Sequence, residues 1–136
     1  MKDTIVTHWQ ENLKFDSQIG KHSLLTDAPE SAGGNDTASS PKKLMMVALA
    51  GCTGIDVVTI LKKMRVAFTS LAIRVEAELT DEVPSVYKAM HLVYEFQGKD
   101  LDVAKLRKAI ALSQDKYCGV SMMYRQIMTI TWEVKY

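Results

Sequence analysis

Apolar and polar positions alternate at the start of the chain in three short stretches, each of which predicts a strand. Ile5, Thr7 and Trp9 alternate with Thr4, Val6 and His8; Leu13 and Phe15 alternate with Asn12, Lys14 and Asp16; a third segment runs near Lys21 to Thr26, after a turn at Gly20. Residues 28–40, APESAGGNDTASS, are small, polar or helix-breaking and predict a loop. Its 13 residues exceed an ordinary connection, which points to a mobile or functional segment. Ser40 then suits an N-cap and Pro41 the first helical position. From Leu44 to Met64 the sequence LMMVALAGCTGIDVVTILKKM is apolar on nearly every side in its first half. Such a helix belongs in the middle of a molecule or across a subunit interface. Gly51 and Gly54 each cost it about 1 kcal/mol relative to Ala, tolerable where another backbone packs closely or the helix bends.

Two further strands are sharply patterned. Leu71, Ile73, Val75, Ala77 and Leu79 alternate with Ala72, Arg74, Glu76, Glu78 and Thr80; Met90, Leu92, Tyr94 and Phe96 alternate with His91, Val93, Glu95 and Gln97. One apolar and one polar face each predicts an antiparallel sheet exposed on one side, with a hairpin loop at Asp81 to Tyr87 around Pro84. Residues 102–117 predict an amphipathic helix through Val103, Leu106, Ile110 and Tyr117, followed by a short helix from about Gly119 to Arg125. A last strand alternates Met128, Ile130, Trp132, Val134 and Tyr136 with Thr129, Thr131, Glu133 and Lys135. Strands and helices come in blocks, so the class is α+β, a single domain over 1–136.

Composition narrows the function. The 136 residues are 47% hydrophobic and 24% charged, the balance of a folded domain rather than a disordered tail or a disulfide-packed miniprotein. Net charge is +1, without the basic footprint of a nucleic-acid binder. The N-terminus MKDTIVTHWQ lacks the pattern of a signal peptide. The longest uninterrupted apolar run, Leu44 to Ala50, has seven residues against the roughly 20 of a membrane span. The expected compartment is therefore cytoplasmic. There a cysteine pair is more often catalytic, redox-active or simply buried than a permanent staple.

Two cysteines are too few for a four-thiolate zinc site but enough for one reversible dithiol. Cys52 reads either as a small buried hydrophobe or, given a cation or donor beside it, as a nucleophile. Asp56 sits one helical turn later on the same face, where its charge opposes a thiolate unless it points elsewhere or is paired. Cys118 reads either as a partly exposed cysteine at a helix junction or as one placed at a helix start that favours its thiolate. Lys42 and Lys43 read as a solvated basic pair or as support for an anion at the start of the long helix. His8, His22 and His91 are scattered on strands with no metal spacing, and SAGGND is not a phosphate loop, so no metal or cofactor is expected. Met45, Met46, Met122 and Met123 flank the cysteines, as core filling or as a deformable apolar pocket.

SPKKLMMVALAGCTGIDVVTILKKMR resembles the central helix of the OsmC/Ohr family, where a Pro-led start precedes small and apolar residues ending in Ala-Cys or Gly-Cys. ALSQDKYCGVS resembles the family's second motif, a helix leading into Cys-Pro-x-Ser. The order of elements also matches over essentially the whole chain, and the wording GCTGIDVV is similar to the YhfA-like branch. The resemblance implies an OsmC-like fold and an intertwined homodimer with active sites at the interface. It also implies thiol-dependent reduction of organic hydroperoxides, with Cys52 as peroxidatic and Cys118 as resolving thiol. A dithiol reductant would restore the pair, and the substrate would be a small hydrophobic peroxide or lipid-like ligand. Three family features are altered. Lys42 stands where hydroperoxide reductases carry Glu, no Arg precedes Arg65, and Cys-Pro has become Cys118-Gly119. Lys42 is the candidate replacement cation, without the planar fork of Arg. Two other readings follow from those changes: a non-enzymatic module binding a hydrophobic ligand, and protein-disulfide exchange.

Overall fold

The computed structural model describes residues 1–136, which divide into two compact units, Met1–Met45 and Met46–Tyr136. In the first unit β1 (Val6–Glu11), β2 (Lys14–Ile19) and β3 (His22–Thr26) form an antiparallel meander in that order. Trp9 faces Phe15, and Phe15 faces Thr26. Asn12 takes a left-handed φ of 47° in the β1–β2 turn, a conformation its short amide side chain tolerates. Trp9 Nε1 donates to Asn12 O at 2.8 Å, and Asn12 Nδ2 donates to Gly33 O at 2.9 Å, tying the turn to the long loop. That loop is not featureless. It holds a 3-10 turn at Glu30–Ala32 and closes on Asp27. The Asp27 carboxylate accepts from the amide of Ala28 at 2.7 Å, the amide of Thr37 at 3.0 Å and the hydroxyl of Thr37 at 2.6 Å. These bonds lower its pKa to about 2. The order predicted from three short strands and a loop stands, with each strand shifted by a residue or two.

The second unit is built on α1 (Leu44–Lys63), which follows a 3-10 turn at Pro41–Lys43. Ser40 occupies the N-cap and Pro41 the first helical position, but the Ser40 side chain makes no capping bond. β4 (Ser70–Leu79) and β5 (Tyr87–Gln97) pair antiparallel, from Ser70 opposite Gln97 to Ala77 opposite Met90. β6 (Thr129–Lys135) joins the other edge of β5 in parallel, from Ala89 beside Thr129 to Glu95 beside Lys135. The strand pattern predicts antiparallel sheets only. The parallel edge arises because the helices between β5 and β6 carry the chain back before it pairs, as a crossover must. Central β5 supplies buried Met90, Leu92, Val93, Tyr94 and Phe96.

The helical segment also differs from its pattern. Instead of one helix over 102–117, α2 (Val103–Leu112) gives way to a π-helical turn at Ser113–Tyr117, and α3 (Gly119–Arg125) follows Cys118. Asp102 caps α2 by accepting from the amide of Lys105 at 3.2 Å. The widened turn brings Ser113 and Gln114 into the interior, where both are buried. Local departures of this kind mark functional segments in many helices.

α1 is not buried on all sides. Its core stripe is Leu49, Thr53, Val57 and Leu61, spaced four residues apart, while Val47 and Ile55 stand exposed on other faces. The helix Pro41–Lys63, with a mean hydropathy of 2.1 over its best window, is long and apolar enough to cross a membrane by length and composition alone. Only 22% of that window is fully buried within the chain, and the remainder is half-buried or exposed. One stripe of α1 is thus fully buried, Met46, Ala50, Val58 and Ile60 are half-buried, and Val47 and Ile55 are exposed. Gly54 faces β4, where a Cβ would lie 3.2 Å from Ile73 Cδ1, so the missing side chain lets helix and sheet approach.

Candidate active site

Both cysteines lie in the second unit, 66 residues apart in sequence, and the fold brings them together. Cys52 and Asp56 are one turn apart on α1 and share a face. Cys118 is the N-cap of α3, arriving from the π-helical turn with its amide donating to Ser113 O at 2.8 Å. The Sγ of Cys52, the Sγ of Cys118 and a carboxylate oxygen of Asp56 all lie within 4.8 Å of one another. Both thiols are free.

The two sulfurs have different surroundings. Cys118 is 2% exposed, whereas Cys52 is half-buried. Burial pushes the Cys118 thiol up, the neighbouring Cys52 pushes the same way, and hydrogen bonding from Ser121 opposes both. The Ser121 amide donates to Cys118 Sγ at 3.4 Å, a long sulfur bond that fixes the thiol's direction.

Beneath the thiols lies a buried polar chain. Ser113 Oγ donates to Asp56 Oδ2 at 2.9 Å, so its only proton is committed. At 2.7 Å from Thr53 Oγ1 it must therefore accept, and Thr53 donates. Thr53 in turn accepts from the Tyr94 hydroxyl at 2.7 Å and from Gln114 Nε2 at 3.1 Å. Gln114 Nε2 donates its second proton to the Tyr94 oxygen at 2.9 Å. Gln114 Oε1 accepts from Ser121 Oγ at 3.0 Å and from an Arg125 guanidinium nitrogen at 3.2 Å. Arg125 also donates to the Gln114 backbone carbonyl. Proton counting thus gives the chain one direction, from Tyr94 through Thr53 and Ser113 to Asp56. Burial raises the Tyr94 pKa against the opposing hydrogen bonds of Thr53 and Gln114, keeping it a phenol that can donate.

Asp56 also faces outward. It lines a cavity of about 520 Å³ together with Thr59, Ile60, Lys63, Met64, Leu112 and Tyr117. The lining is mixed: Ile60, Met64 and Leu112 are apolar, while Asp56, Thr59 and Lys63 are polar.

Of the residues singled out from sequence, Cys52, Cys118 and Asp56 meet. Lys42 lies in the 3-10 turn of the first unit, exposed. The histidines are not among the three donors. His91 bonds Thr131 at 2.7 Å and Glu133 at 3.0 Å on the sheet, and His8 and His22 lie in the meander. Thr53, Tyr94, Ser113, Gln114, Ser121 and Arg125 escape the sequence reading. One signal for them exists: Thr53 is a hydroxyl in an otherwise apolar stripe, which demands a buried partner.

Comparison with known proteins bears on the family and the fold. The family model described as OsmC-like protein matches residues 33–133. Protein YhfA of Escherichia coli K12 is 34% identical over 125 residues, covering 90% of either chain. A solved hypothetical protein from Aquifex aeolicus VF5 superposes with a TM-score of 0.83 at 26% identity, covering 99% of this chain and 97% of that one. The organic hydroperoxide resistance protein OhrB of Bacillus subtilis shares the fold at a TM-score of 0.69 and 18% identity, over 99% and 98% of the two chains. The chain belongs to the OsmC-like protein family.

Proposed function

We propose that this protein is a thiol-dependent reductase of organic hydroperoxides. The observation that carries the reading is the pairing of one accessible and one buried thiol within 4.8 Å. Cys52, as thiolate, attacks the distal oxygen of ROOH. The O–O bond breaks, ROH leaves with a proton from solvent, and Cys52 becomes a sulfenic acid. The Cys118 thiol then attacks the Cys52 sulfur, water departs, and a disulfide closes. A dithiol reductant restores both thiols by exchange and leaves as its own disulfide. The cavity beside Asp56, which reaches the thiols only through that residue since neither cysteine lines it, offers Ile60, Met64 and Leu112 to the apolar body of a substrate. Lys42 remains the proposed cationic support for the thiolate, carried over from its motif position.

We assign the protein to the cytoplasm as a homodimer, with 1–136 acting as one OsmC-like domain. The uncovered apolar residues Val47 and Ile55 on α1 and Met122 and Met123 on α3 support a partner subunit, as an exposed apolar surface of this kind generally does. A second reading, a non-enzymatic module for a hydrophobic ligand, is favoured by the same cavity. Protein-disulfide exchange is the third reading, since the same two thiols would serve it. Cumene hydroperoxide consumption with a dithiol reductant separates them. Turnover that disappears in Cys52→Ser supports the peroxidase; no turnover, with retention of a lipid probe, supports the binding module.

A further inference from the structure

We propose that Cys52, Asp56 and Cys118 form a binding site for a borderline-soft divalent cation of the zinc class. The proposal goes beyond the hydroperoxide chemistry and stands whether or not the thiols reduce a peroxide. Two thiols and a carboxylate are a donor set such cations take, with the fourth position left to water or an added thiol. Zn–S and Zn–O bonds of about 2.3 and 2.1 Å put tetrahedral donors about 3.6–3.8 Å apart. The three donor atoms here already lie within 4.8 Å of one another, so small side-chain rotations close the site.

The surroundings hold the donors rather than merely collecting them. Ser113 donates to Asp56 Oδ2 at 2.9 Å, an outer-shell bond of the kind that orients metal carboxylates. Ser121 directs Cys118 Sγ by its amide at 3.4 Å. Cys52 and Asp56 share one helix face and are both half-buried, which gives a cation a path inward. The charge balances: a dication displaces one proton from each thiol, so the site carries net −1 before and after binding and two protons are released. The cation would hold both sulfurs as ligands and thereby shield them from an oxidant.

The test uses the full-length reduced protein, stripped with a chelator and titrated with Co2+ and then Cd2+. One equivalent should bring a thiolate-to-metal charge-transfer band, the intense visible bands of four-coordinate cobalt, and release of protons to an indicator dye. Asp56→Asn should weaken binding more than tenfold, Asp56→His should restore it, and Ser113→Ala should weaken it by about tenfold. No charge-transfer band in the parent would overturn the proposal. So would equal affinity in the parent, Asp56→Asn and Ser113→Ala, because a bare dithiol would then account for everything. Hydroperoxide consumption is assayed separately on the chelator-treated protein. Peroxide turnover without cation binding overturns this site alone, and cation binding without turnover overturns the peroxidase alone.

Discussion

The Ser113 hydroxyl donates to Asp56 Oδ2 at 2.9 Å across 57 positions of sequence, joining the π-helical turn that precedes Cys118 to the helix that carries Cys52. This bond fixes the proton order of every hydroxyl behind it. It also couples the placement of the two thiols to a buried network rather than to packing alone.

Ser113→Ala should therefore destabilise the protein by about 1–3 kcal/mol, the cost of leaving a buried donor at Thr53 without its acceptor. Urea unfolding at neutral pH measures it. Thr53→Val, which removes the hydroxyl shared by Tyr94, Ser113 and Gln114, should cost as much or more. A double-mutant cycle should show the two changes to be non-additive, because they belong to one chain of bonds.

Thiol reactivity should be uneven. At neutral pH, iodoacetamide should modify half-exposed Cys52 several-fold faster than Cys118, whose burial both restricts access and raises its pKa. Peptide mapping against time measures the two rates. Equal rates would remove the asymmetry on which the assignment of nucleophile and resolving thiol rests.

The strands and the long helix were legible in the sequence because periodicity alone encodes them, and the two motifs were legible because each surrounds a cysteine. The polar network was not. Ser113 and Gln114 sit where the pattern predicts the end of an ordinary α-helix, and only the π-helical turn rotates both inward to meet Thr53 and Tyr94. Parallel pairing of β6 was equally invisible, since Met128, Ile130 and Trp132 alternate with polar residues just as they would on an antiparallel edge. The apolar girth of α1 points to a central position or a subunit interface, and periodicity alone does not say which side chains this chain itself covers: Leu49, Val57 and Leu61 are buried, whereas Val47 and Ile55 are exposed.

Ile55→Glu probes that cover. In the proposed dimer it buries a charge at the interface, which should shift sedimentation from dimer to monomer while leaving the far-ultraviolet circular dichroism of the chain intact. An unchanged sedimentation coefficient would place the interface elsewhere.

Asp27 governs the acid response of the first unit. Its folded pKa of about 2 lies below the ordinary 3.8, so its ionised form contributes stability that is fully present above about pH 4. That contribution is lost as pH falls through about 2. Asp27→Asn should loosen residues 27–39 at neutral pH, seen as faster amide exchange at Ala28 and Thr37, and should flatten the parent's loss of protection between pH 4 and 2.

The most direct measurement is intact-mass and peptide analysis of the reduced, metal-free protein after one equivalent of cumene hydroperoxide. A Cys52–Cys118 disulfide, replaced by a trappable sulfenic acid at Cys52 in Cys118→Ser, is the predicted result. Two intact thiols after excess peroxide, or over-oxidation of Cys52 with no disulfide at any stage, would contradict it.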